Sequence, residues 1–474
     1  MAHAAVRLQV EEPEQFPRSA TIYGIRELGR RAGASEQFIQ SWRLEFETPG
    51  FVDVYIQAGT RKRIRFPRGD EKFWETVRKG RFKTSVAKWM REPVNSCALV
   101  SDFRIPFSTS ERRELGPLFE ISNRDCAECA VDLPASLVLT TGRFEETLPH
   151  ACDQHGRFSA FSSIAWREGF LHRPIVDEYG LAVEQALQDL LPGWQTAERK
   201  LRVKLGHDVD EIGIPFSPRT TAGHVLRRGR PTTAIREIVA ALSATETSYQ
   251  LQLRRMVKLA VDRDLDCGVY WKASPAGRHD RGYDLCDPRI AKMIAEFHES
   301  GAEMGIHPGY ETFGAPERFH GEVSVVRKAL GEQKVGGRQD FLRWNPKTWE
   351  LWESEGLAYD ATVGFADQIG FRAGTCYPYR PWLFSQEREA QLLEIPLVAM
   401  DTTLHSYMKL PPEEALQKLR ECVARCRSVG GLFTVLWHNT KMLDRGYAGI
   451  YETLLNELAG SDRYEWRSSC NGSN

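Results

Sequence analysis

The stretch Leu201-Arg202-Val203-Lys204-Leu205-Gly206-His207-Asp208-Val209-Asp210 begins as an alternating apolar strand and ends in two acids. Residues two apart on a strand project from one face, so Asp208 and Asp210 can meet at the strand's carboxyl end. Such a pair suits a metal-dependent hydrolase, in which one acid grips the ion and the other handles protons. The same letters also describe a strand followed by a solvated acidic turn, and the residues further along decide between the two.

After residue 200 strands alternate with helices. Ile235 to Leu265 is a long helical region, followed by a strand at Cys267-Gly-Val-Tyr-Trp271 and a helix over Pro288 to Ser300. Gly301 to His307 is the next strand, Asp340 to Glu355 is helical and Leu357 to Thr362 is extended. Leu393 to Met400 reads as a strand, Pro412 to Val429 as a helix and Gly431 to Trp437 as a last strand. Repeated βα units predict a parallel sheet, open or closed as a barrel. Asp208, Asp210, His307, Asp360, Asp401 and His438 all fall at strand ends. In a (β/α) barrel the carboxyl ends of the strands form one face, where residues distant in sequence converge.

The chain has 474 residues, enough for two or three domains. Hydrophobic residues make up 42% and charged residues 27%, as in soluble globular proteins. A formal net charge of −1 argues against a general nucleic-acid or membrane-surface role. The first residues lack an apolar signal core, and no run approaches the roughly 18 apolar residues of a spanning helix, so a soluble, cytoplasmic protein is expected. The ten cysteines then read mostly as free thiols. Cys126-x2-Cys129 with Cys152-x2-His155 has the spacing of a structural zinc site, set against an intervening Leu137-Val-Leu139 that reads as core.

Residues 1–195 are expected to form a smaller α+β accessory domain, and 196–474 the (β/α) domain, with the boundary after Pro192-Gly-Trp194. In the first part, Phe51 to Ile56 and Arg63 to Phe66 alternate as strands. Lys72 to Met90, basic and aromatic, reads as an amphipathic helix pair rather than a nucleic-acid surface. Asp153 to Phe158 is a turn cluster, and a helix runs from Arg173 towards Leu191.

From about Arg202 onward the chain resembles the polysaccharide deacetylase superfamily, in a branch with an H-D-V-D first motif. The resemblance is carried by His207-Asp-Val-Asp210, Met304-Gly-Ile-His-Pro-Gly-Tyr310, Gly336-Gly-Arg-Gln339, Tyr359-Asp360 and Gly364-Phe-Ala-Asp367. Gly370-Phe-Arg-Ala-Gly-Thr375, Glu394-Ile-Pro396 and Leu436-Trp-His-Asn439 complete the ordered set. Asp153-x-His-Gly-Arg-Phe158 and Arg173-Pro-x-Val-Asp-Glu-Tyr179 resemble the module that precedes this branch. The resemblance implies a distorted (β/α) barrel and one divalent metal ion, zinc foremost, used to remove an acetyl group from an N-acetylated sugar. It further implies Asp210 and His307 as metal ligands, Asp208 as general base, Arg338 as the residue orienting that base, and His438 as general acid.

Two positions depart from the pattern. The wider superfamily places a second histidine four residues after the first; here that position is Glu311, which joins Asp210 and His307 as the expected third ligand. His320 and Asp340 are the alternatives. The Gly-Gly-Arg-Gln motif is often followed by histidine, where this chain has Asp340. Tyr310, Trp344, Arg372 and Asp401 are the expected substrate contacts, and Tyr377, Tyr379, Trp382 and Tyr407 lie in or near the same loops. Without a signal peptide, a glycan precursor, or a lipid-linked or nucleotide-linked sugar, is expected as substrate rather than cell-wall peptidoglycan or extracellular chitin. Hydrolysis of another C–N bond, or non-catalytic glycan binding, are the competing readings. The sequence does not specify an oligomeric state.

Overall fold

The computed structural model describes residues 16–57, 59–90, 99–122, 124–196, 198–213 and 246–464. The first part of the long helix expected from Ile235 lies outside these residues; its remainder is Ser248–Val261, begun by a capping box between Thr247 and Gln250.

The Arg202–Asp208 strand lies at the centre of a parallel sheet. Its neighbours are Asp266–Trp271 on one side and Leu432–Leu436 on the other, and Glu303–Ile306 and Ala399–Met400 lie outside these. Asp462–Arg463 pairs with the start of the central strand. Beyond Ile306 the sheet continues through isolated bridges from Gly337 to Ile306 and to Asp360, and then to the parallel pair Tyr359–Asp360 and Leu393–Glu394. A Cβ on Gly337 would lie 1.8 Å from the Ile306 carbonyl oxygen, so only glycine lets the two backbones approach this closely.

The mixed α/β architecture with a parallel sheet matches the sequence expectation, whereas a ring closed by continuous ladders is not formed among the described residues. The expected Leu393–Met400 strand divides into Leu393–Glu394 and Ala399–Met400, with Pro396, which has no N–H to donate, between them. This stretch bonds to both sides by scattered contacts: Ile395 N–H donates to Asp360 O at 2.8 Å and Leu397 N–H to Val363 O at 3.0 Å, while Val398 N–H donates to Thr434 Oγ1 at 2.9 Å.

Upstream, Arg43–Glu45, Phe51–Tyr55, Arg63–Pro67, Cys126–Cys129 and Phe119–Ser122 form a five-stranded sheet in that spatial order. Helices Arg18–Arg31, Leu133–Thr141 and Ile175–Leu190 pack against one another beside it. The expected helix pair over Lys72 to Met90 is instead one helix, Glu71–Arg78, and one strand, Ser85–Lys88. Gly80 at φ 69° ends the helical course, and Ser85–Lys88 pairs with Phe103–Ile105 and Glu114–Pro117. Cys126 and Cys129, three apart on a strand, cannot share a face, Cys152 is exposed, and His155 turns to Tyr310, so the zinc knuckle is not assembled. One hydrophobic core runs from Phe16 to Leu458 through both parts of the chain. No described helix is long and apolar enough to cross a membrane.

Candidate active site

The parallel register brings the strand ends level: Asp208 lies opposite Tyr270, and Trp271 opposite Ile306. The residues that emerge there are Asp208 and Asp210, Lys272, His307, Arg338, Asp401 and His438.

Asp208, 2% exposed, accepts a hydrogen bond from Arg338 Nη1 at 2.8 Å. Arg338 Nε donates to the Ala361 carbonyl at 2.9 Å, which fixes the guanidinium. Gly206 makes the approach possible, since a Cβ there would lie 2.9 Å from Arg338 Nη1. His307 Nδ1 donates to the Arg338 carbonyl at 2.7 Å, leaving Nε2 to face Asp210 Oδ1 and Asp340 Oδ1, each at 3.2 Å. A ring nitrogen tied to a backbone carbonyl, with the other free to accept, is the usual orientation of a metal-ligating histidine. Among the described residues, Asp210, His307 and Asp340 are the group whose donor atoms converge closely enough to hold a metal ion. Asp340 Oδ2 is buried without a hydrogen-bond partner, and two carboxylates with one imidazole are a donor set that binds zinc or a harder divalent ion. The residues present therefore fit the group.

Glu311, expected as the third ligand, does not join the cluster. Its side chain is 65% exposed and lies 3.9 Å from Arg318, because a short turn at Tyr310–Thr312 carries it outward. His320 is also remote, bonded to Glu355. Asp340, named from sequence only as an alternative, takes the place. Phe341 and Leu342 immediately after it have φ of 57° and 54°, sparsely populated for such residues, and the helix expected from Asp340 begins only at Pro346, capped by Asn345.

On the other side of Asp210, His438 Nε2 lies 3.6 Å from Asp210 Oδ2. Its Nδ1 donates to Asp401 Oδ1 at 2.7 Å, and its backbone N–H to Asp401 Oδ2 at 2.6 Å. Burial lowers the basicity of this imidazole, but the Asp401 carboxylate outweighs it and pushes His438 up to about 9. Asp401, expected to touch substrate, is fully buried and instead holds His438. His207 packs beneath the site, its Nδ1 2.9 Å from the Trp437 carbonyl oxygen, and burial depresses it to about 4.

Of the other expected substrate contacts, Tyr310 stands at the mouth, stacked on His279 at 4.0 Å between ring centroids and covered by the Arg343 guanidinium at 4.1 Å. Trp344 and Arg372 are buried away from it. Arg372 pairs with Glu146 and lies over the Trp344 ring, an interior ion pair between the two parts of the chain. The turn at Asp153 to Phe158 reaches the mouth from the N-terminal part: His155 Nδ1 lies 3.2 Å from Tyr310 Oη, and Arg157 Nη1 donates to the Phe341 carbonyl at 2.9 Å.

Lys272 and Asp280 were not singled out in the sequence. The Lys272 ammonium lies 2.9 Å from Asp210 Oδ1, 2.9 Å from Asp280 Oδ1 and 3.1 Å from Asp340 Oδ1. Burial would raise the Asp210 carboxyl, but the ammonium beside it, with His307, holds it well below the usual carboxylate range. Lys272 directly follows the Asp266–Trp271 strand, so the rule that selected acids and histidines at strand ends marks it as well.

Residues 42–192 match a family model described as a family of unknown function, DUF7033. No curated protein matches the chain. Among solved structures, a candidate polysaccharide deacetylase from Mycobacterium smegmatis is 16% identical with a TM-score of 0.40, over 57% of this chain and 88% of that one. A candidate polysaccharide deacetylase involved in O-antigen biosynthesis, from Bordetella bronchiseptica, is 10% identical with a TM-score of 0.28, over 56% and 88%. A 4-alpha-glucanotransferase from Thermococcus litoralis is 11% identical with a TM-score of 0.34, over 57% and 38%. At these levels function has to be read from the site itself.

Proposed function

We propose that this chain is a metal-dependent hydrolase of carbohydrate amides that removes an acetyl group from an N-acetylated sugar. The observation that carries the reading is the convergence, at one end of a parallel sheet, of a buried carboxylate held by an arginine, a three-residue donor cluster and a carboxylate-held histidine. The cluster of Asp210, His307 and Asp340 would hold a divalent ion, with zinc foremost. When bound, such an ion polarises the amide carbonyl and lowers the pKa of the attacking water.

The remaining steps belong to the chain's own residues. Asp208 takes the proton from the attacking water, and Arg338 keeps the accepting oxygen aimed. The amide C–N bond breaks as His438 Nε2 delivers a proton to the departing nitrogen, releasing acetate and the free amine. With its affinity for protons raised by Asp401, His438 carries that proton at neutral pH. The sugar half of the reading rests on the motif resemblance.

The test is acetate release from a panel of N-acetylated sugars, including nucleotide-linked ones, by the zinc-loaded chain. Asp208→Asn should lower the rate by about 10³-fold, within the range of a general base, while zinc binding persists. Undiminished acetate release from that variant would remove Asp208 from the mechanism. Turnover of small amides with no acetate from any sugar would assign the site to another C–N bond.

A further inference from the structure

The Lys272 ammonium is an unusual neighbour for a metal site. Its side chain is 2% exposed, and it reaches the same two oxygens, Asp210 Oδ1 and Asp340 Oδ1, that His307 Nε2 faces. A divalent ion held by those oxygens would stand within a few ångströms of a positive charge in a site largely shielded from water, where like charges repel strongly. The third partner offers a way out. Asp280 Oδ1 is 2.9 Å from the ammonium, Asp280 lies outside the donor cluster, and its Oδ2 is fixed by the Tyr310 backbone N–H at 3.1 Å. The lysine stem has the rotatable bonds needed to shift between these partners. The charges agree. With Arg338 on Asp208 and Lys272 on Asp280, the two carboxylates left are Asp210 and Asp340, matching the charge of one divalent ion; with Lys272 on the cluster, they do not.

We propose that Lys272 is a tethered cation that competes with the divalent ion for Asp210 and Asp340 and withdraws to Asp280 when the ion binds. This rests on the metal-site reading above. The lysine then sets the affinity of the site and keeps the acids compensated when no ion is held, so the ion should exchange more readily than from the same three ligands alone.

Zinc affinity measures this directly, by titrating the full chain against a chromophoric chelator, with His307→Ala marking off binding elsewhere. Lys272→Met should bind zinc at least tenfold more tightly than wild type. Asp280→Asn, which removes the withdrawal site, should bind at least tenfold more weakly. A folded Lys272→Met with unchanged or weaker affinity, or Asp280→Asn with wild-type affinity, overturns the proposal while leaving the metal reading intact. If Lys272→Met fails to fold, Asp280→Asn decides alone. Wild type that binds no more zinc than His307→Ala overturns the metal reading and this inference with it.

Discussion

For the proposed metal site, the third ligand is a choice between two acids that lie in very different positions. Asp340 is 2% exposed with one oxygen 3.2 Å from His307 Nε2, whereas Glu311 points to solvent. Asp340→Ala should therefore lower zinc affinity by about 100-fold or more, the scale on which even supporting groups of metal sites act, and Glu311→Ala should leave it within about twofold, as for an exposed group away from the ion. Equal losses in both variants, measured by chelator competition, would return Glu311 to the site. That Asp208, Asp210, His307, Arg338 and His438 gather at one end of the sheet was legible in sequence, because each ends a strand or sits in one of the quoted motifs. Asp340 was visible only as a departure and as one alternative ligand, because its place depends on Phe341 and Leu342 at positive φ, which no letter in that segment announces. Trp344 and Arg372 were misplaced for a related reason: an aromatic or an arginine near a loop reads the same whether it faces a substrate or the interior.

At the scale of strands and helices, the periodic segments were the legible ones. Pro412–Val429 appears with the boundaries the sequence predicts, whereas Ser85–Lys88 was taken for helix because its pairing partners lie at Phe103 and Glu114, out of reach of local pattern. The seam at Leu393–Met400 has a chemical consequence as well. Asp360 and Glu394 are register partners on adjacent parallel strands, both fully buried. Burial raises both carboxyls, Asp360 to about 7 despite hydrogen bonds from Thr362, and the Asp360 charge further raises Glu394. A carboxyl whose folded pKa lies above its unfolded value binds more protons when folded, so stability falls as pH rises from the unfolded value near 4 through 7. Asp360→Asn removes one of the two titrating groups and keeps an acceptor for Thr362. Its melting temperature should vary less than that of wild type between pH 5 and 8, and equal slopes in the two proteins would show that this pair does not titrate in that window.

For the molecule as a whole, the N-terminal part is built into the site rather than appended to it. Asp177 on the Ile175–Leu190 helix accepts from Thr375 and from the Cys376 backbone, and Glu146 pairs with Arg372, so two buried acids of the first part are satisfied by the second. The core is continuous across the junction that the sequence places near residue 195. The turn at Asp153 to Phe158 was read as a turn, yet its destination was not legible, since it depends on how two folded parts meet. There Arg157, braced by Asp153, donates to the Phe341 carbonyl and to Tyr407 Oη at 2.8 Å, while Arg343 donates to the His155 carbonyl at 2.8 Å. Phe341 is the positive-φ residue that follows Asp340, and backbone in such a region persists only where its surroundings hold it. On the proposed metal reading, Arg157 would then be a positioning residue for Asp340, which it does not touch. Arg157→Ala should release the turn, weaken zinc binding by about tenfold, a displacement effect of the size seen for groups that support metal ligands, and lower kcat for acetate release more than it raises KM. Arg157→Lys, which keeps the charge without the planar fork, should recover only part of the affinity. Wild-type zinc affinity in Arg157→Ala would mean that the Asp340 turn holds its shape unaided, and that the N-terminal part meets the site only at its rim.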